Sequence, residues 1–397
     1  MPYGEKRVRR LVNGESTKRS ELDDRRLVKR LQERAVELLA EEAEIWVMVD
    51  GSDLRKPQAQ GMEALMKVWP LQGKGLVAGY RTINALGVAR GKRGLLYHRL
   101  FSSRSDDFES ESREVQRALS SVGDALAGTE AKITYVLDRG FDDVAVWGTI
   151  WGQRHHLVCR VKHLGRLVRR TEANGLCQTL SLAEAGRQLV EQGTLEAELR
   201  VRKRGQRQLK RQAVTVSLAA CQVEVNVSKG EERAVGAMLV GHKRVWLVRV
   251  ILEDTHCEPW WLLTDWPVDN GVEAGRIFQM YCQRWAVEDG FKFIKQCIGW
   301  EEVQMLSLAD IRLLVALGWV AAGFLYELGV TWEWVEIQLL ARLGGWENRQ
   351  NRAPGKIVIS RGLRRLLDMM AVEAVLNDHI ATHGRLPPRI ATLLGRD

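Results

Sequence analysis

Tyr281, Arg284, Glu288 and Lys295 are spaced so that a helix would gather a phenol, two cations and one carboxylate on a single face. At about 100° per residue the four positions fall within roughly 60° of arc. Val287, Phe291, Ile294 and Ile298 fall on another side, so the pattern predicts one long helix from about Val272 to Ile298 with a buried stripe. A lone carboxylate among cations suits a site where a metal ion and a phosphate lie between them. Two more acids extend the idea: Asp50 follows the apolar run Ile45–Val49, and Asp138 follows Ile133–Leu137. In open α/β sheets, groups at the carboxyl ends of strands line the ligand crevice. Each acid taken alone reads equally as a residue capping a loop or helix. If the two strands are neighbours, both carboxylates enter one site. Converging carboxylates are the hard oxygen ligands that Mg²⁺ takes while keeping positions open for substrate phosphate. Two such ions, roughly 3.5–4 Å apart, would activate a water or 3′-hydroxyl and stabilise the leaving oxygen of an in-line phosphoryl transfer. Asp53, Asp142 and Asp143 lie close by and read as caps or as groups behind the ligands.

The elements that must position these groups follow from periodicity. Ser20 to Glu42 has helical spacing with Ser20 as N-cap. The continuous apolar runs Ile45–Val49 and Ile133–Leu137 suit strands buried on both faces. Gly75–Ala89 and Gly94–Ser102 read as strands joined by the turn Arg90 to Gly94. Ser105–Leu126 and Asp142–Trp151 read as helices, and His156–Lys162 as a further strand. From about His163 to Glu253 short strands alternate with basic or glycine-containing turns, which predicts a mostly β insertion. Trp260–Thr264 returns to a buried-strand pattern, and the chain from Ser307 onward is mainly helical. The expected organisation is a basic helical region over 1–43, a catalytic core over 44–162 and 256–306, the insertion over 163–255, and a helical region over 307–397.

A net charge of +9 and a pI of about 9.3 favour polyanionic partners. The first 34 residues hold eleven Lys/Arg against six Asp/Glu, and Arg200 to Arg211 holds seven Lys/Arg and no acid. Six cysteines without CxxC spacing predict thiols in a reducing compartment and argue against both a disulfide framework and a zinc site. No N-terminal apolar stretch predicts secretion. Leu313 to Tyr326 is apolar for only 14 residues, short of a membrane span. A cytoplasmic location is expected.

The segment from Tyr281 to Lys295 matches the Y-x2-R-x3-E-x6-K signature of DDE transposases of bacterial insertion sequences, the YREK branch, insertion-sequence family four. Val49-Asp50-Gly51-Ser52-Asp53 resembles that branch's first-aspartate motif, and Leu137-Asp138-Arg139-Gly140 its second. The order Asp, Asp, β-rich insertion, Glu is also theirs, and the resemblance covers roughly Trp46 to Gly299. It implies an α/β fold with an RNase H-like mixed sheet flanked by helices, interrupted by a mostly β insertion, with a helical C-terminal region. It implies that Asp50, Asp138 and Glu288 hold two Mg²⁺ ions, for which Mn²⁺ can substitute. Tyr281, Arg284 and Lys295 would grip DNA phosphates, a role that suits a bidentate fork, a point charge and a rigid hydroxyl donor. Trp260, 21 residues before Tyr281, resembles the tryptophan on which some members stack a flipped base.

The implied partners are double-stranded DNA, as terminal inverted repeats and target, and a second copy of the chain in the DNA complex. Only 49 residues precede Asp50, where the branch usually carries a helical domain that reads the repeats. That predicts either a truncated DNA-binding domain or a different mode of end recognition. Two other functions fit the same residues: an RNase H-like nuclease without strand transfer, and a catalytically silent DNA-binding protein derived from a transposase.

Overall fold

The computed structural model describes residues 23–70, 75–171, 175–204, 208, 210–227, 241–302, 304–347 and 353–393. The chain divides into two compact units, Met1–Gly323 and Phe324–Asp397.

The first unit is built on one mixed sheet of 12 strands flanked by helices. Helix α1 (Asp24–Leu39) is capped by the Asp23 carboxylate; Ser20, expected as the cap, lies outside the described residues. Strand β1 (Glu44–Arg55) is followed by β2 (Met66–Val68), β3 (Val77–Ala89) and β4 (Lys92–Phe101). β1, β3 and β4 form an antiparallel meander, and β2 pairs with the far edge of β3. The turn between β3 and β4 is two residues long, and both Arg90 (φ 41°) and Gly91 (φ 86°) take the left-handed backbone that a tight hairpin needs. Helix α2 (Glu111–Leu126), capped by Ser110, leads into β5 (Lys132–Leu137), which lies parallel to β1. Helix α3 (Val144–Gly152), capped by Asp143, leads into β6 (His156–Arg160), parallel to β5.

The described residues between 163 and 255 form mostly strands, β7 (Leu167–Thr171), β8 (Cys177–Ser181), β9 (Gly193–Val201), β10 (Lys210–Asn226) and β11 (His242–Leu252), with the short helix α4 (Leu182–Arg187). These strands make no separate sheet. β12 (Trp260–Thr264) pairs antiparallel with β6 on one side and with β11 on the other, so hydrogen bonding runs unbroken from the core strands into the insertion.

Strand alternation divides the core into two faces. Ile45, Val47 and Val49 of β1 pack in one cluster with Leu119 of α2 and Trp147 of α3. Met48 and, two residues on, Asp50 therefore face the opposite side. There the chain continues through α5 (Gly271–Cys282), α6 (Trp285–Phe293) and α7 (Leu308–Thr331). α7 is the one described helix long and apolar enough to cross a membrane by length and composition, and 44% of its apolar window is buried. Its Trp319 is fully buried, and the indole N–H donates to Asn84 Oδ1 at 3.0 Å and approaches His98 Nδ1 at 3.1 Å. Phe291 of α6 packs edge-on against the same indole.

The second unit holds the end of α7 with α8 (Trp334–Leu343), α9 (Lys356–His383) and α10 (Pro388–Leu393). α8 and α9 cross at glycine, since a Cβ on Gly362 would stand 1.7 Å from the Leu340 carbonyl oxygen.

Burial drives the His98 pKa down to about 3, so the Asn84–His98–Trp319 cluster is a neutral hydrogen-bonded plug beneath α6. Asn84→Ala should lower stability by about 1–3 kcal/mol, because it removes the buried oxygen that both the Trp319 indole N–H and His98 Nδ1 approach, leaving one buried donor without an acceptor. Urea unfolding reads the effect, and an unchanged midpoint would show that the cluster contributes nothing.

Candidate active site

Parallel pairing sets Val49 level with Leu137, and Leu137 level with Cys159. One residue on, Asp50 of β1, Asp138 just past the end of β5 and Arg160 of β6 stand at one height and on one face. Neighbouring strands lie about 4.8 Å apart, so the two carboxylates are next-door groups. Asp50 was expected at a strand end. Instead β1 runs on to Arg55, because β3 continues to pair with it after β5 has stopped at Leu137. Asp50 thus marks the end of the β5 ladder rather than of its own strand. Asp138 caps the single 3₁₀ turn Arg139–Phe141, its Oδ1 accepting from the Arg139 N–H at 2.6 Å.

The expected single helix from Val272 to Ile298 is interrupted twice. α5 ends at Cys282, and α6 begins at Trp285. Across the junction Arg284 N–H bonds the Tyr281 carbonyl and Ala286 N–H the Gln283 carbonyl, the tight i→i−3 spacing of a 3₁₀ turn. After Phe293 the chain widens into a π turn over Ile294–Ile298, closed by Gly299 at φ +75°. A tightened turn and a widened one rotate the face differently from a uniform helix. The four signature residues consequently reach different targets.

Arg284 makes the central contact. Its Nη1 donates to Asp50 Oδ2 at 3.0 Å and its Nη2 to Glu288 Oε1 at 2.5 Å. The side chain is only 9% exposed, and Nε is buried without a hydrogen-bond partner among the described residues. Burial works against the arginine's charge, yet Tyr281, Asp50, Glu288 and Asp138 together hold its pKa above the usual guanidinium range. The Tyr281 hydroxyl lies 3.5 Å from Asp138 Oδ1, and burial raises its pKa to about 12. Lys295 leaves this cluster: its Nζ donates to the Asp53 carbonyl at 2.8 Å and lies 3.7 Å from Glu301. Burial holds the lysine below its usual pKa, against the pull of Glu301.

Trp260 is buried, 7% exposed, with its ring against Phe278 and Tyr281 and the Arg160 guanidinium 5.2 Å from its centroid. Trp261, one residue on, points to the opposite face of the sheet and packs on Gly186. Arg160 went unread in the sequence. Its strand was legible, but only the register with β5 brings it level with Asp138. The nearby acids are otherwise engaged: Asp142 accepts from Lys162 N, His163 N and Arg166, Asp143 caps α3, and Asp53 pairs with Arg81 at 3.2 Å. Beside Asp50 opens a cleft of about 430 Å³, lined by Asp53, Arg81, Glu111, Gly140 and Phe141.

Among the described residues, no three His, Cys, Asp or Glu side chains are arranged to hold a metal ion. The acids of this site are instead spanned by a guanidinium. No protein-family model matches the chain, and no curated protein matches it significantly.

Desolvation raises the Asp50 pKa to about 7; Arg284 opposes the rise, while Asp138 and Glu288 add to it. An unfolded aspartate titrates at about 3.9. Between those values the unfolded chain sheds a proton that the folded chain keeps. Stability should therefore fall as pH rises from about 4 to about 7 and level off above. In EDTA, Asp50→Asn should flatten that slope in urea unfolding; a slope identical to wild type would remove Asp50 as its source.

Proposed function

We propose that this chain is a DNA transposase of an insertion sequence, cutting at element ends and joining them to target DNA by metal-dependent phosphoryl transfer. The observation that carries the reading is the convergence of Asp50, Asp138 and Glu288. They come from three distant segments of the chain: Asp50 on β1, Asp138 directly after the parallel strand β5, and Glu288 on the facing helix, joined to Asp50 through Arg284. The order of the core strands, an antiparallel meander followed by two helix-linked parallel strands, supports an RNase H-like core. The basic balance of the chain supports DNA as partner. A homodimer on the DNA and a cytoplasmic location belong to the same proposal.

The donor set supports a divalent cation by its chemistry and not by its present spacing, which leaves no three of the described side chains arranged around an ion. Three carboxylates supply hard oxygens, Asp50 feels the charges of the other two, and a guanidinium already occupies the position of a counter-cation between two of them. Bound there, Mg²⁺ ions would activate a water or a 3′-hydroxyl and neutralise charge on the scissile phosphate. The chain's own residues divide the remaining work. Asp50 and Asp138, fixed by the sheet, set the site's floor, and Glu288, with a half-exposed side chain, closes it from α6. Arg284 offers a planar fork to phosphate, and Arg160, stacked on Trp260, stands beside Asp138 as a further cation. Tyr281 retains its proton at neutral pH and can donate to a phosphate oxygen. Lys295 joins the π turn to β1 and so holds the far end of the helix against the strand that carries Asp50.

With a labelled element-end duplex in Mg²⁺ or Mn²⁺, purified protein should cleave at the 3′ end and join the product to a second duplex. Cleavage without joining would favour the nuclease reading. Binding without cleavage would favour a silent DNA-binding protein. Glu288→Gln should reduce cleavage by about 10³-fold or more, since metal stabilisation of the transition state is worth several kcal/mol. Its DNA affinity should stay near that of wild type. Retention of the wild-type rate would remove Glu288 from the site.

A further inference from the structure

We propose that Arg284 is a latch, an internal counter-cation that keeps Asp50 and Glu288 from a divalent ion until a DNA phosphate draws the guanidinium away. The inference rests on the metal-site reading above and adds a regulation to it. Arg284 bridges two acids from opposite walls of the site, one on β1 and one on α6, so its fork holds the walls together. It leaves Asp138 free of its grip; that carboxylate is held by the Arg139 amide and faces the Tyr281 hydroxyl. A guanidinium fork matches a carboxylate and a phosphate equally well in geometry, so the same side chain can exchange one for the other. The latched state carries a defect that exchange can relieve, because Nε is a buried donor with no acceptor among the described residues. The Tyr281 ring, 5.9 Å from the guanidinium carbon, gives the side chain an aromatic surface to move along without losing all its contacts.

Such competition has a required consequence. If a cation and Arg284 contend for the same carboxylates while DNA claims Arg284, then DNA must raise cation affinity. By linkage the cation must raise DNA affinity by the same factor. Without DNA the site resists metal, which would keep the three acids from assembling a hydrolytic centre in the free protein.

The test is Mn²⁺ binding to the full chain, followed by the electron-spin signal of the free ion, with and without a short duplex oligonucleotide. Arg284→Gln should bind Mn²⁺ about tenfold more tightly than wild type in the absence of DNA. The duplex should raise wild-type affinity within the usual coupling range of about 5- to 150-fold and that of the variant far less. Arg284→Lys, which keeps a charge but loses the fork, should fall between the two and serves if the glutamine variant folds poorly. In a thermal melt, Arg284→Gln should lie below wild type without metal and gain more from Mn²⁺. Wild-type and Arg284→Gln proteins with equal Mn²⁺ affinity would overturn the latch while leaving the metal site standing, provided Glu288→Gln weakens binding. No Mn²⁺ binding by any variant, with or without DNA, would overturn the metal-site reading together with the latch.

Discussion

The register between β1 and β5 is the constraint on which the site depends. With Val49 level with Leu137, the next rung carries Asp50 and Asp138 side by side, and Arg160 one strand further on. The same rung extends the other way through Asn84 and His98, which face Asp50 across the meander and are capped by Trp319. A polar row thus crosses five strands beneath α6, fully buried and hydrogen-bonded at one end and half-open at the other. A slip of one residue in β1 would turn Asp50 toward α2 and bring Val49 into the site. The apolar run Ile45–Val49 prevents this, because its alternate residues are already buried among α1, α2 and α3 on the other face.

Charge balance then shapes what the helices do. Desolvation is the main cause of the raised Asp50 pKa, and the charges of the adjacent Asp138 and the facing Glu288 add to it. Arg284 answers it from the junction between α5 and α6, where the tightened turn aims the guanidinium between the walls. The π turn beyond serves a different purpose, turning Lys295 away from the acids and onto the β1 backbone at Asp53. The tightened junction therefore governs the acids, and the π turn governs the seating of the helix.

Much of this organisation was legible in the residues. The strands around Ile45–Val49, Ile133–Leu137 and Trp260–Thr264 stand where their apolar runs place them, and Asp143 takes one of the two roles read for it, a helix cap; the helix expected from Ser105 begins instead at Glu111, capped by Ser110. The two breaks in the signature helix were not legible, since no proline marks either one and the distortions satisfy contacts with β1. The joining of the insertion to the core sheet was equally hidden. It depends on β12 finding open edges on both β6 and β11, which no local pattern encodes.

The sequence by itself determined where the main strands and helices of the site lie and which acids and cations they carry or adjoin. Those properties are local: periodicity, capping and turn chemistry act over a few residues. Only the tertiary structure decided that Asp50, Asp138 and Arg160 share a rung, that Trp260 is buried while Trp261 faces α4, and that Arg284 spans two carboxylates instead of standing free. These depend on strand register and on the balance of desolvation against charge, which arise only when distant segments are brought within a few ångströms of one another.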